Sequence, residues 1–163
     1  MAKKDFIADN IKIVQNSIFN FGELYKMIFR WFEVYEYDHH EDRYDEETKP
    51  DGKDVRVYWT AEKKIDAYTM FVIELNMYLL GLSATEIERN GLKSKTNKGN
   101  IEFRISVYLK KDYTGKWQSF PLMAYVYDRI IAKKRLDRYE GEIYGDYKKL
   151  IDEIKAFLSL HHL

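Results

Sequence analysis

The chain has 163 residues, enough for one domain with a substantial core, and it contains no cysteine. Disulfide bonds, thiolate metal sites and a cysteine nucleophile are therefore excluded. The 27 basic and 27 acidic residues give a formal net charge of zero, which argues against long-range attraction to nucleic acid or anionic lipid. We expect a single domain over residues 1–163, soluble and cytoplasmic, because no stretch resembles a secretory signal or a bilayer span.

The N-terminal part predicts one strand and one helix. Residues 10–15, NIKIVQ, are rich in β-branched side chains and indicate a strand. After them, Asn20 is a candidate N-cap because Glu23 follows three residues later. The helix that begins there has apolar residues on one face: Leu24, Ile28, Trp31, Phe32 and Tyr35.

The middle of the chain predicts antiparallel strands joined by tight turns. Residues 53–64 alternate between apolar and polar side chains, and the KPDG turn before them pairs this strand with residues 36–47. A second apolar strand covers residues 67–80, and Asn90-Gly91 is a strong hairpin signal. NKGN at residues 97–100 predicts a further turn before a strand at 101–109. These short connections leave no room for crossover helices, so the sheet is expected to be an antiparallel meander.

The C-terminal third predicts helices. Pro121 suits a helix start, and the stripe that follows is Leu122, Tyr125, Val126, Arg129 and Ile130. A longer stripe runs from Ile143 to Leu158, and we expect Gly141 and Gly145 to mark a turn between helices or a close contact. His161 and His162 are expected at a frayed helix end. The predicted fold is α+β, an antiparallel meander sheet of about five to seven strands with one N-terminal helix and two C-terminal helices packed on one face.

Several segments together resemble a group of small uncharacterised archaeal proteins. They are GELYKMIFRWF, YEYDHHEDRY, DAYTMFVIELN, NKGNIEFRISVYLKKDY and IDEIKAFL. The resemblance covers most of the chain, and its motifs are structural. It implies a cytoplasmic, single-domain protein of archaeal type, and it implies no activity and no functional residue.

The segment EYDHHEDRYDEE, residues 36–47, contains the candidate metal ligands His39, His40 and Glu41. On a strand the two histidines fall on opposite faces, and three ligands at alternate positions span roughly 13 Å. Zinc requires donors at about 2.0–2.2 Å, so these residues alone cannot surround one ion. A metal or acid/base site stays open as an alternative, but the pattern favours a solvated strand whose charges protect an edge of the sheet.

Charge is segregated along the sequence. Residues 36–47 have seven acids and one arginine, whereas residues 89–116 have eight basic residues and two acids. The acidic pole consists of Asp38, Glu41, Asp42, Asp45 and Glu46. The basic pole consists of Lys93, Lys95, Lys98, Lys110 and Lys111. Both poles are candidate binding surfaces, either for a protein partner or for self-association.

Three functions are compatible with this pattern. No phosphate-binding loop, zinc-protease motif or nucleophile elbow is present, so we expect no cofactor and favour a protein without catalytic activity. The leading hypothesis is a non-catalytic protein-binding or adaptor domain with separate acidic and basic surfaces. The first alternative is a small-molecule binder or enzyme with a cavity lined by Trp59, Met70, Phe71 and Met77. The second is a nucleic-acid accessory protein that uses the basic hairpins with Tyr108, Tyr113 and Trp117.

Overall fold

The computed structural model describes residues 2–127, 129 and 133–160. Ile130 of the predicted stripe and the pair His161 and His162 lie outside these residues. The elements in chain order are β1 (Lys3–Phe19), α1 (Phe21–Val34), β2 (Asp38–Lys49), β3 (Gly52–Lys64), β4 (Thr69–Arg89), β5 (Leu92–Lys111), a short 3-10 helix (Lys116–Ser119), α2 (Pro121–Val126) and α3 (Lys133–Ser159).

The five strands form one sheet in the order β1-β5-β4-β3-β2, and all neighbouring strands are antiparallel. Strands β2 to β5 form a meander, and β1 is added beyond β5. Because β1 and β2 are the two edges, the helix that connects them, α1, must cross the sheet. The predicted α+β fold is confirmed, with one N-terminal helix, two C-terminal helices and five strands.

Local signals explain where α1 begins. The side chain of Asn20 accepts a hydrogen bond from the backbone N–H of Glu23 at 2.9 Å, which is the predicted N-cap. The face at helical spacing is then buried, because Leu24, Ile28 and Phe32 are fully covered by the sheet.

The core lies between one face of the sheet and helices α1 and α3. Alternate residues of β3, Val55, Val57, Trp59 and Ala61, are buried on this face. The matching stripe of α3 consists of Leu136, Tyr139, Ile143, Tyr147, Leu150, Ile151, Ile154 and Leu158. The opposite face of the sheet has no described helix packed on it and has polar and aromatic side chains.

A bulge in β4 replaces the turn predicted at NKGN. The pairing of β4 with β5 shifts between Leu80 and Ser83, and Gly81 takes a φ of +64°. Gly99 of NKGN faces this bulge: a Cβ added there would lie 3.2 Å from the carbonyl oxygen of Leu80 and from the Cα of Leu82. The predicted turn is therefore wrong, because β5 continues through Gly99 so that two backbones can approach closely.

The C-terminal helix is also more continuous than the glycines suggest. α3 runs without a break through Gly141 and Gly145, and a Cβ at either position would meet nothing within 4 Å. The predicted turn or close contact at these glycines is wrong. None of the described helices is long and apolar enough to cross a membrane.

Candidate functional site

The two histidines of β2 lie on opposite faces of the sheet. The ring of His39 packs on α1, with centroids 4.4 Å from Phe29 and 5.3 Å from Phe32. His40 lies on the open face, where its Nε2 is 3.0 Å from Oδ1 of Asp42. Within the described ranges, no three His, Cys, Asp or Glu side chains converge to hold a metal ion.

The acidic pole lies along the exposed edge strand β2, and four of its five carboxylates have local partners. Glu41 accepts from the Tyr25 hydroxyl, Asp42 from Thr60, Asp45 from Arg43, and Glu46 from Tyr44 at 2.7 Å and from Lys53 at 3.3 Å. Burial and the bond to Glu41 raise the pKa of Tyr25 to about 12. The Tyr44 hydroxyl holds the pKa of Glu46 below its usual value. The strand keeps a net negative surface, because its partners are mostly neutral hydroxyls.

The basic pole does not form one surface. Lys93, Lys95 and Lys98 lie in the distal half of the β4–β5 hairpin, whereas Lys110 and Lys111 are at the other end of β5, with roughly 40 Å of strand between Lys98 and Lys110. Acidic residues face most of them: Lys93 is opposite Glu88, Lys95 is opposite Glu86, Lys110 lies 3.9 Å from Glu62, and Lys111 pairs with Asp5. These pairs reduce the positive potential that the sequence pattern indicates.

The side chains proposed to line a cavity are packed instead. Trp59, Phe71 and Met77 are at most 2% exposed and belong to the cluster between the sheet and the two long helices. Met70 is buried on the opposite face of the sheet against Val72 and Tyr108. The grooves described in the structure are open to solvent, and one of 330 Å³ lies between α1 and α3.

A different surface concentrates exposed apolar side chains. Fifteen large apolar residues are exposed in the described part of the chain, and five of them lie within residues 120–126. Their exposed fraction reaches 76% at Leu122, and no residue of α2 is buried. We call this the α2 surface and define it as Trp117, Phe120, Leu122, Met123, Tyr125 and Val126. Exposed apolar clusters of this kind mark interaction sites.

Three aromatic rings fix the α2 surface to the end of the sheet. Tyr68, in the connection from β3 to β4, is buried and packs edge-on against Trp117 and Tyr127, with centroids 5.8 and 5.2 Å away. The rings of Trp117 and Tyr127 are 5.0 Å apart. Tyr68 thus contacts one residue on each side of α2, and the apolar side chains between those two residues are exposed.

Two grooves flank the α2 surface and share part of their lining. The larger has a volume of 580 Å³ and includes Tyr113, Phe120 and Lys116, and the smaller has 280 Å³. Trp117 and Met123 line both grooves. Apolar side chains of a partner can therefore insert on either side of Met123.

Basic residues lie on both sides of the α2 surface in the sequence, and Arg129 contacts it. Between residues 116 and 135 the sequence has five basic residues and one acid, Asp128. The guanidinium of Arg129 lies 5.4 Å from the ring centroid of Tyr125, and Arg135 donates to the Tyr127 hydroxyl at 3.5 Å. We call the five basic residues the basic border: Lys116, Arg129, Lys133, Lys134 and Arg135. All five are exposed.

The composition of residues 120–127 indicates this surface, although their helical spacing alone does not. Seven of the eight residues in FPLMAYVY, residues 120–127, are apolar or aromatic, so the short helix is apolar around its whole circumference. A helix of this kind cannot bury every side against one sheet. The lysine pair at 133–134 begins six residues after this segment in the sequence.

Comparison with protein-family models, with curated proteins and with solved structures finds no significant match.

Proposed function

We propose that this protein is a non-catalytic binding domain whose α2 surface holds a protein partner, and that the partner has apolar side chains bordered by acidic residues. The observation that carries the proposal is the group of exposed apolar side chains on α2, next to the basic border. Burial of these side chains would supply binding free energy at about 25 cal/mol per Å² of apolar surface, before the costs of association. The basic border would favour acidic partners and speed their association.

A second copy of the chain fits the α2 surface less well than a different protein does. Symmetric pairing of two α2 surfaces would bring two basic borders together, and like charges repel. The acidic pole of a second copy would match the charge, but β2 has only one exposed large apolar side chain, Tyr44. Head-to-tail self-association of the poles would therefore be mainly electrostatic and would weaken as ionic strength rises.

The two alternative functions have less support. The small-molecule alternative relied on a cavity lined by Trp59, Phe71 and Met77, which are packed in the core. The nucleic-acid alternative relied on the hairpin lysines, two of which face glutamates in register. Apolar and aromatic side chains line most of the two grooves at the α2 surface, which favours apolar side chains of a partner over a polar ligand or a phosphate backbone.

A peptide-display selection on the 163-residue chain tests the class of partner. We expect enriched sequences to combine bulky apolar residues with Asp or Glu, and to bind less well at high salt. Vesicles with and without anionic lipid serve as the competing probe. Enrichment of basic peptides, absence of enrichment, or binding to anionic vesicles in place of peptides would overturn the proposal.

A further inference from the structure

The two edges of the sheet differ sharply in charge. β2, at one edge, has eight charged residues among its twelve. Residues 11–19 of β1, at the other edge, have the sequence IKIVQNSIF and contain one charged residue, Lys12. Proteins protect free edges with charges, bulges or short strands, because unpaired backbone groups recruit other strands. β2 has this protection, whereas the second half of β1 lacks it.

The geometry of β1 changes at the same point. Its pairing with β5 shifts twice between Phe6 and Ile11, where Asn10 takes a φ of +50°. From Ile11 to Phe19 the register is continuous. No described strand lies on the outer side of β1. The regular, almost uncharged half of the edge is therefore long enough to accept another strand.

We propose that residues 11–17 of β1 pair antiparallel with the same residues of a second copy of the chain, which joins two sheets into one. In a continuous sheet with a twofold axis, one residue must face its own copy, because paired side chains lie on the same face. We place the axis at Val14, which is 60% exposed and is the most exposed apolar residue of β1.

This register avoids repulsion between like charges and brings apolar side chains together at the axis. Lys12 lies opposite Asn16 of the partner strand, so the one charged residue of the segment does not face its own copy. Ile11 lies opposite Ser17, and Ile13 opposite Gln15. The two Val14 side chains meet at the axis, where a β-branched pair is favourable. The pairing leaves the α2 surface free, so it does not depend on the proposed function.

Cysteine cross-linking tests this register directly, because the chain has no native cysteine. Directly opposed residues in antiparallel strands have Cα atoms about 4.5–5.5 Å apart, which suits a disulfide bond. Under mild oxidation, Val14→Cys should form a cross-linked dimer about tenfold or more faster than Val34→Cys. Val34 is a matched control because it is 68% exposed at the end of α1. Lys12→Cys alone should react slowly, whereas a mixture of Lys12→Cys and Asn16→Cys should cross-link quickly.

Sedimentation of the uncross-linked protein provides the second readout. We expect the wild type and Val34→Lys to sediment as dimers of the 19.6 kDa chain. Val14→Lys should be a monomer with unchanged circular dichroism, because it places like charges opposite each other. A monomeric wild type, or cross-linking of Val34→Cys or Lys12→Cys as fast as Val14→Cys, would overturn the proposal.

Discussion

Asp66 connects the end of the sheet to α3 through one carboxylate. Its Oδ1 accepts from the backbone N–H groups of Tyr68 and Thr69 at 2.8 and 2.7 Å, and its Oδ2 accepts from the Tyr139 hydroxyl at 3.1 Å. The Tyr113 hydroxyl donates to the carbonyl oxygen of Asp66 at 2.7 Å. Because Tyr68 anchors Trp117 and Tyr127, Asp66 also supports the α2 surface.

We expect Asp66→Ala to lower the free energy of unfolding by about 1–3 kcal/mol, since it leaves several donors without an acceptor. Asp66→Asn should cost less, because one oxygen still accepts from the two backbone N–H groups. Urea unfolding measures both variants. Asp137→Ala, an exposed acid on α3, is the control. Equal losses in Asp66→Ala and Asp137→Ala would show that the turn is not held by this carboxylate.

Tyr37 should make the free energy of unfolding depend on pH in the alkaline range. Its buried hydroxyl donates to Oδ2 of Asp146 on α3 at 2.9 Å, and burial, with the negative charge of Asp146, raises its pKa well above the usual value. An unfolded tyrosine ionises near pH 10. The raised pKa therefore contributes stability that is fully present below about pH 10 and is lost as the pH rises from there towards the pKa of the folded state.

Replacement of Tyr37 by Phe should flatten this dependence. We expect the wild type to lose about 1 kcal/mol more unfolding free energy than Tyr37→Phe between about pH 9 and about pH 11. Urea titrations at the two pH values measure the difference, and Tyr125→Phe controls for the loss of one exposed tyrosine. Parallel pH profiles for the wild type and Tyr37→Phe would contradict this role of the buried hydroxyl.

Among the secondary-structure elements, the two glycines of α3 and Gly99 of β5, which faces the β4 bulge, should respond oppositely to replacement by alanine. Gly141→Ala and Gly145→Ala should each stabilise the protein by roughly 0.5–1 kcal/mol, because the helix is continuous and the added methyl meets no atom. Gly99→Ala should destabilise it, because its Cβ would press on the backbone of Leu80 and Leu82. Thermal unfolding measures all three. Destabilisation by Gly141→Ala would imply a turn or a contact at that glycine.

The elements that the sequence predicts well are those with local determinants. The Asn20 cap, the turn before β3 and the hairpin at Asn90-Gly91 depend on residues close together in the chain, and all three are present. β1 extends beyond the predicted residues 10–15 at both ends. Its bulges near Ala8 and Asn10 break the two-residue alternation of apolar side chains, so this alternation does not predict the first part of the strand. Gly99 resembles a turn residue in sequence, but its role comes from a distant strand, which no local pattern reveals.

The α2 surface is less evident from the sequence than the fold is. Helical spacing places Leu122, Tyr125 and Val126 on one helix, but spacing does not say what covers a helix. The exposure of these residues follows from the contact of Trp117 and Tyr127 with Tyr68, which is about fifty residues away in the sequence. The sequence shows the two charged poles. It does not show which side chains pair with them, because that depends on strand register.

Across the whole molecule the numbers of acidic and basic residues are equal, and on the open face of the sheet opposite charges lie next to each other. Glu102 accepts from Arg104 at 2.6 Å and lies 3.7 Å from Lys12. Arg104 stacks over Tyr78, 5.5 Å from its ring centroid, and Tyr78 contacts Tyr58. On this face acidic and basic side chains therefore alternate across neighbouring strands. The basic border differs, because residues 129–135 contain four basic residues and no acid.

Salt should therefore affect folding and binding differently. Exposed ion pairs contribute little each, so raising NaCl from about 0.05 M to about 0.5 M should change the unfolding free energy by less than about 1 kcal/mol. The same change should weaken binding of an acidic peptide about tenfold or more, because the basic border is screened. Urea unfolding and fluorescence anisotropy measure the two effects. Binding that is insensitive to salt would exclude a role for the basic border.

A comparison of two glutamate variants tests whether the α2 surface is the docking site. Leu122 and Leu92 are 76% and 75% exposed, but Leu122 lies on the α2 surface and Leu92 at the tip of the β4–β5 hairpin. With a selected acidic peptide, we predict that Leu122→Glu raises the Kd about 10- to 100-fold, while Leu92→Glu changes it less than about twofold. Equal affinities of the two variants for the peptide would show that the α2 surface is not the docking site.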